Sequence, residues 1–221
     1  MSIVFVEYPP LPDSPYEMWA RGELEGFLRL PEGSRAEIIE GDIVVSPAAR
    51  YAHNRIAARI VTAFGVASAA DPAFRWEAVP NTGVGEPESR GWIPDVAIVD
   101  KARSDEVAEA GLVIIGPSDM TMAIEVTSPS NADHDREPGP QHRQKNGNRI
   151  KTKWADYAAA GVEFYLLVDC DPRVSRAILY SGPNPSASRY EAAIAWDLGA
   201  PIVLPEPFGL TVDTADWKAW S

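Results

Sequence analysis

The hydrophobic pattern of this chain centres on two short apolar runs, at 92–100 and 120–128, which predict strands buried on both faces of a sheet. Each run carries one acid: Asp95 follows Pro94 in the first, and Glu125 lies near the end of the second. A buried carboxylate needs a hydrogen bond, a charged partner or a cation. Two of them on neighbouring strands would repel each other, and a divalent metal between them would remove that repulsion. Helix capping or pairing with an arginine is the open alternative.

The rest of the pattern predicts helices and strands on either side of these two runs. Helices are predicted at 16–30, 48–67, 101–110 and 149–160, and strands at 74–79 and 163–169. A hairpin is predicted at 36–47, and a C-terminal β-hairpin joins 177–180 to 190–195. The irregular segments are an N-terminal arm at 1–15, a glycine-containing loop at 81–91 and a flexible loop at 132–148. This order predicts a single α/β domain over 1–221, with a mixed α+β sheet and flanking helices.

Composition narrows the class of protein. The chain has 221 residues and a formal charge of −12, from 32 acidic and 20 basic side chains. This excess argues against a general basic face for nucleic acid but leaves room for a local basic patch. The single cysteine, Cys170, allows no internal disulfide and fits a reducing compartment. Without a leader pattern or a membrane-spanning apolar run, the sequence predicts a soluble cytoplasmic protein with no membrane partner.

The strongest candidate set for chemistry is Asp95, Glu125 and Lys153, with Glu37 as a fourth member. Carboxylate oxygens suit Mg²⁺, and a metal held in this way can activate water and stabilise charge on a phosphate. Lys153 lies early in the helix that follows the Glu125 strand. Its ammonium can therefore reach the end of that strand and support the nucleophile or the transition state. A solvated helix position is the alternative for a lone lysine, so only the combination favours Lys153.

Several short motifs recur in a recognisable order along the core of the chain. They are Glu37 to Ile43, Ser46-Pro47, His53, Pro94-Asp95, Glu125-Val126, Ser128, Lys153, Tyr157 and Gly161 to Tyr165. Together they resemble the PD-(D/E)xK nuclease superfamily and, more narrowly, its large bacterial family of restriction-endonuclease-like proteins called Uma-type. The resemblance covers about 35–171.

The resemblance implies a restriction-endonuclease-like core and a metal-dependent endonuclease that hydrolyses phosphodiester bonds in nucleic acid, DNA in the first instance. It implies that Asp95, Glu125 and Glu37 bind Mg²⁺ or Mn²⁺ and that Lys153 is the site lysine. The usual lysine position of the superfamily, two residues after Glu125, holds a threonine here, and the segment before Lys153 is longer than is usual in the family. Lys151 therefore competes with Lys153. Nucleases of this superfamily often work as dimers, which predicts a homodimer.

The segment from 138 to 155 contains no acid and is rich in basic side chains. In a chain of net negative charge, this concentration beside the proposed site predicts contacts to nucleic-acid phosphates. A solvated loop is the alternative. The candidate nucleic-acid-binding residues are Arg143, Lys145, Arg149 and Lys151.

Two other functions fit the same sequence. A catalytically inactive protein of the nuclease fold would act as a binding or assembly module, which the acidic composition and the displaced lysine favour. A metal phosphodiesterase acting on a small substrate would not need a long basic groove. His53 is a possible further site residue, because it can orient a phosphate or a water from the helix that faces the first hairpin. A hydrogen bond to a neighbouring residue is its alternative role.

Overall fold

The computed structural model describes residues 10–139, 143, 147 and 149–220. Helices and strands alternate along most of this chain, and short 3-10 helices lie at Pro117–Asp119 and Pro185–Ala187. Within the described residues the α-helices are α1 (Pro15–Ala20), α2 (Leu24–Phe27), α3 (Tyr51–Ala70), α4 (Lys101–Glu109), α5 (Ala132–Asp135) and α6 (Lys153–Ala159).

The strands form a six-stranded sheet, a five-stranded sheet and a two-stranded one. They are β1 (Arg35–Ile39), β2 (Asp42–Ser46), β3 (Trp76–Pro80), β4 (Gly83–Glu86), β5 (Arg90–Trp92), β6 (Val96–Asp100), β7 (Ile114–Ile115), β8 (Met120–Val126), β9 (Phe164–Asp169), β10 (Arg176–Asn184), β11 (Arg189–Asp197), β12 (Ile202–Val203) and β13 (Thr211–Val212). The six-stranded order is β11-β10-β9-β8-β6-β3, with β8 and β9 parallel and the other pairs antiparallel. The five-stranded order is β2-β1-β5-β4-β7. The predicted mixed α/β fold with a C-terminal hairpin, β10–β11, is confirmed.

Alternate residues of the six-stranded sheet pack into two apolar layers. Ile124 and Leu166 pack with α3 and the C-terminal segment, whereas their neighbours Ala123 and Leu167 pack with α6 and the five-stranded sheet. This is the period of two expected of a strand. Because both faces are covered, β8 and β9 are almost continuously apolar, and an acid such as Glu125 is costly there.

Two predictions in the first half of the chain were wrong. Two short helices, α1 and α2, replace the predicted helix at 16–30, and the chain turns between them at Gly22, whose φ of +68° suits glycine. The predicted loop at 81–91 instead contributes β4 and β5 to the five-stranded sheet. Glycine is required in β5 because a Cβ on Gly91 would lie 2.7 Å from the indole ring of Trp19.

Two boundaries around the basic segment also differ. The predicted helix at 149–160 begins only at Lys153, because the Thr152 side chain caps it by accepting a hydrogen bond from the Ala155 N–H at 3.2 Å. The segment predicted as a loop at 132–148 begins with α5. Lys145 and residues 1–9 of the predicted arm lie outside the described residues. Across the described ranges, no helix is both long and apolar enough to cross a bilayer.

Candidate active site

Asp95 and Glu125 lie beside each other on neighbouring strands. Asp95 immediately precedes β6, and Glu125 is the penultimate residue of β8. The two strands are antiparallel and pair Val96 with Ile124. Both acids are buried, and the Oδ2 of Asp95 accepts a hydrogen bond from the Val126 N–H at 2.8 Å. The strand pairing therefore holds the two carboxyl groups at one end of the sheet.

Lys153 connects acids from the two larger sheets. Its Nζ lies 2.8 Å from Oε1 of Glu37 in β1 and 3.0 Å from Oε1 of Glu125 in β8. The same oxygen of Glu37 accepts a hydrogen bond from the Ile93 N–H at 2.7 Å. Only 4% of the surface of Lys153 is exposed, so it is not a solvated helix residue. The first turn of α6 thus carries a buried cation to the junction of the sheets.

The structure separates the two competing lysines. Lys151 donates a hydrogen bond to the Glu40 carbonyl at 2.7 Å and pairs with Asp42 at 2.9 Å, both in the turn of the first hairpin. Arg149 pairs with the carboxylate of the same Glu40. Lys153, and not Lys151, is therefore the lysine that meets the buried acids.

His53 and Arg35 contact Oδ1 of Asp95, the carboxylate oxygen that does not accept from Val126. The Nε2 of His53, in the first turn of α3, lies 2.9 Å from Oδ1 of Asp95. The guanidinium of Arg35, at the start of β1, lies 3.6 Å from the same oxygen. His53 is buried, and its imidazole contacts Asp95 within the protein. The sequence left the role of His53 open, and the structure brings it to the cluster.

Asp135, at the end of α5, is a further buried acid that the sequence analysis missed. It is fully buried, and neither carboxylate oxygen has a hydrogen-bond partner among the described residues. Burial raises the pKa of Asp135, and the charges of Lys153 and Glu125 also act on it, so Asp135 lies near the cluster. It was missed because it lies in a polar segment predicted as a loop. The available signal was Ala132, an apolar residue three positions earlier on the same face of a helical turn.

The four acids of the cluster outnumber its two permanent cations, Lys153 and Arg35. Burial, reinforced by the neighbouring acids, raises the pKa of Glu125 to about 7, and Lys153 offsets only part of this effect. Burial likewise raises the pKa of Asp135 well above its ordinary value. Burial opposes the charge of Lys153, yet the surrounding carboxylates raise its pKa. Burial would also raise the pKa of Asp95, but the contact with His53 lowers it.

The residues of the cluster fit a hard divalent cation. Glu37, Asp95, Glu125 and Lys153 line a cavity of about 30 Å³, which has room for one or two water-sized species, whereas Asp135 is not part of this lining. Among the described residues, no group of three or more His, Cys, Asp or Glu side chains stands ready to hold a metal. Mg²⁺ does not need such a cage, because one or two carboxylates commonly hold it together with waters and a substrate phosphate. The three acids of this lining outnumber its cations Arg35 and Lys153, which favours a divalent cation here.

Two neighbours of Lys153 on α6 support the cluster. The Tyr157 hydroxyl donates a hydrogen bond to Oε1 of Glu125 at 2.7 Å. The carboxylate of Asp156, which is almost fully buried, accepts hydrogen bonds from Nε of Arg90 at 2.8 Å and from Nε1 of Trp92 at 2.9 Å. Asp156 therefore fastens the helix that carries Lys153 to the five-stranded sheet.

We expect Asp156→Ala to lower the free energy of unfolding by about 3–5 kcal/mol, because it leaves the partly buried Arg90 guanidinium without its main partner. Urea unfolding followed by tryptophan fluorescence measures the loss. Asp133→Ala, which removes an acid with 59% of its side chain exposed, is the matched control and should change stability by less than about 1 kcal/mol. Equal losses in the two variants would contradict the anchoring role.

A protein-family model matches most of this chain. The family model Uma2, described as "Putative restriction endonuclease", matches residues 24–215. The chain belongs to the Uma2 family. The matched range includes every member of the buried cluster, and membership supports a nuclease-like function for this Uma2 protein. No curated protein matches the chain.

A solved structure has the same overall fold as this Uma2 protein. Its title reads "Crystal structure of a putative nuclease belonging to DUF820 from Anabaena variabilis ATCC 29413 at 1.96 A resolution". The two chains share 18% sequence identity with a TM-score of 0.57, over 88% of this chain and 96% of that one. At this identity the similarity establishes the fold alone.

Proposed function

We propose that this Uma2 protein is an endonuclease that hydrolyses phosphodiester bonds in nucleic acid, DNA in the first instance, with Mg²⁺ or Mn²⁺. The observation that carries the proposal is the buried Lys153 ammonium between Glu37 and Glu125, with Asp95 and Asp135 in the same cluster. So many buried acids around one lysine cost stability unless they serve a cation.

Each residue has a distinct role in the proposal. Asp95 and Glu125, assisted by Glu37, would hold the metal, which when bound would activate water and neutralise charge on the phosphate. Lys153 supplies a fixed positive charge where negative charge develops in the transition state. His53, whose Nε2 lies 2.9 Å from Oδ1 of Asp95, would help to position that acid. These groups lie on strands, directly before a strand or on the first turns of helices, so they are held in place before substrate binds.

The pH dependence of stability tests the charge on Glu125. Its pKa is raised from 4.5 to about 7, so the folded protein binds this proton more tightly than the unfolded chain. The contribution of this bound proton to the free energy of unfolding is fully present below pH 4.5 and is lost as the pH rises through about 7. The gap between the two pKa values corresponds to roughly 3 kcal/mol.

In a metal chelator, we therefore expect the wild type to lose roughly 3 kcal/mol of stability relative to Glu125→Gln between pH 4.5 and 8. Urea unfolding at several pH values measures this difference. Added Mg²⁺ should restore the wild type at pH 8 and leave Glu125→Gln unchanged. Glu163→Gln, at an exposed position, is the control. Parallel pH curves for the wild type and Glu125→Gln would show that folding does not raise the pKa of Glu125.

The basic segment is the proposed contact to phosphates. Arg143 is exposed, whereas Arg149 and Lys151 pair with acids of the first hairpin. We expect the double substitution Arg143→Gln and Lys145→Gln to weaken oligonucleotide binding and to reduce the slope of log affinity against log salt by about 2. Fluorescence anisotropy across a salt series measures both effects. Arg176→Gln with Arg189→Gln removes the same charge from the C-terminal hairpin and should leave the slope unchanged.

The direct test of the proposed function is incubation of purified protein with supercoiled plasmid in Mg²⁺, in Mn²⁺ and in chelator. Nicking or linearisation that requires the metal supports the endonuclease. Hydrolysis of small phosphodiesters without plasmid cutting would favour the small-substrate enzyme. Metal binding without either activity would favour the binding or assembly module. Sedimentation of the same samples tests the homodimer, which would offer two sites to the two strands of a duplex.

A further inference from the structure

A second, larger cavity adjoins the buried cluster. It has a volume of about 280 Å³, near the lower end of the roughly 300–1,000 Å³ typical of small-molecule sites. His53 and Ser128 line both this cavity and the small one that holds the acids, so the two share a wall. A group bound in the larger cavity would therefore lie directly beside the proposed reaction site.

The walls of the larger cavity are mainly apolar and partly aromatic. Ile56 of α3 and Val126 of β8 line it from the body of the fold, and Trp217 and Trp220 line it from the C-terminal segment. The backbone N–H of Trp220 donates a hydrogen bond to the Cys170 carbonyl at 2.9 Å, which fixes this segment at the end of β9. The aromatic wall is thus part of the folded core. Nucleic-acid bases bind such surfaces by stacking, and because every base has a flat aromatic face, this binding tolerates any base sequence.

The lining of the same cavity includes cations in a chain of net charge −12. Arg50 and Lys218 are exposed lining residues, and neither has a charged partner among the described residues. Arg55 also lines the cavity and pairs with Asp216. Apolar walls combined with unpaired cations suit a ligand that has a flat ring attached to an anionic phosphate.

From this arrangement we propose that the cavity beside His53 binds the base of an unpaired nucleotide, with the attached phosphate near Arg50. This role rests on the proposed function, because the nucleotide would lie next to the phosphodiester bond that the endonuclease cuts. A paired base cannot enter such a cavity without leaving the stack. The substrate class is therefore nucleic acid with an unpaired base at the site, or, from the same chemistry, a free nucleotide.

The first experiment measures binding of deoxyadenosine 5′-monophosphate by calorimetry in chelator, where no cutting occurs. Ala52 is an exposed lining residue in the first turn of α3, so Ala52→Phe fills the cavity without entering the core. Ala58→Phe, exposed on the same helix and outside the lining, is the matched control. We expect Ala52→Phe to weaken binding about 10-fold, with Ala58→Phe unchanged. Equal affinity of Ala52→Phe and the wild type would overturn the site.

Chemical analogues test the two parts of the ligand. Deoxyribose 5-phosphate, which lacks the base, should bind the wild type no better than it binds Ala52→Phe. Arg50→Gln should weaken the nucleotide and leave the nucleoside unchanged. A sugar phosphate that binds as tightly as the nucleotide would overturn the base pocket.

A second experiment distinguishes a strand from a free nucleotide. A short single-stranded oligonucleotide and its abasic version are compared in chelator with wild type and Ala52→Phe. For a strand, the intact oligonucleotide binds the wild type about 10-fold more tightly, and the difference disappears in Ala52→Phe. For a free nucleotide, Ala52→Phe weakens binding of the mononucleotide alone, and each oligonucleotide binds the wild type and Ala52→Phe equally. Failure of the wild type to cut any nucleic acid in Mg²⁺ would remove the proposed function, while these binding results still decide the pocket.

Discussion

Lys153→Met is expected to reduce metal-dependent cleavage by about 100- to 1,000-fold, the effect of removing one fixed donor from a site that stabilises transition-state charge. The Lys153 ammonium is buried within 3.0 Å of a carboxylate oxygen on each side, so no solvent cation can take its position with the same geometry. Affinity for Mg²⁺ should not fall, because the substitution leaves the acids in place and removes a competing positive charge.

The control for this substitution is Lys151→Met, which removes the same charge two residues earlier. Lys151 contacts the turn of the first hairpin and not the buried acids, so its substitution should leave the cleavage rate within about 3-fold of the wild type. Lys153→Arg keeps the charge but cannot fit the ammonium position of a cavity of about 30 Å³, and should also be inactive. Loss of cleavage in Lys151→Met with an active Lys153→Met would reverse the assignment.

The double substitution Asp95→Asn with Glu125→Gln should reduce cleavage by at least ~1,000-fold, equivalent to about 4 kcal/mol of barrier. Both substitutions preserve side-chain volume and remove the two strand acids proposed to hold the metal. At pH 8 in chelator the variant should still unfold cooperatively in urea, because removal of the unfavourable buried charge of Glu125 offsets the loss of the Asp95 charge that His53 stabilises. An inactive protein that remains folded is hard to explain by misfolding.

Asp133→Asn is the control for this double variant, since it neutralises an exposed acid in α5, close in sequence to the buried Asp135. Its cleavage rate should match the wild type. If the double variant cut nucleic acid at the wild-type rate, the acids would have a structural role only, and the proposed mechanism would be wrong.

The sequence was sufficient to predict that Asp95 and Glu125 meet. Both lie in short apolar runs, and a carboxylate in such a run is unusual enough to indicate a site. The position of Lys153 was predictable only in combination with the motifs around it. Its burial depends on how α6 packs, and α6 begins at Lys153 because Thr152 caps the helix. Arg149 and Lys151, which precede this cap, contact the first hairpin, and these tertiary contacts help to decide where the helix begins.

Other features depended on long-range packing that local sequence patterns do not encode. Glu37 belongs to a different sheet from Glu125, and their shared contact with Lys153 brings them together. The strands β4 and β5 were missed because glycine disfavours strands locally, whereas here Gly91 gives Trp19 room to pack. Asp135 was missed because one apolar residue, Ala132, is too short a pattern to predict a helix within a polar segment.

The most direct test of the central claim is a calorimetric titration of Mn²⁺ into the wild-type protein and into the Asp95→Asn, Glu125→Gln double variant at pH 8. We expect one ion per wild-type chain and no binding at that site in the double variant. Affinity should weaken below about pH 7, as Glu125 takes up its proton. Identical titrations of the two proteins, or no heat from either, would contradict the claim that the buried acids form a metal site.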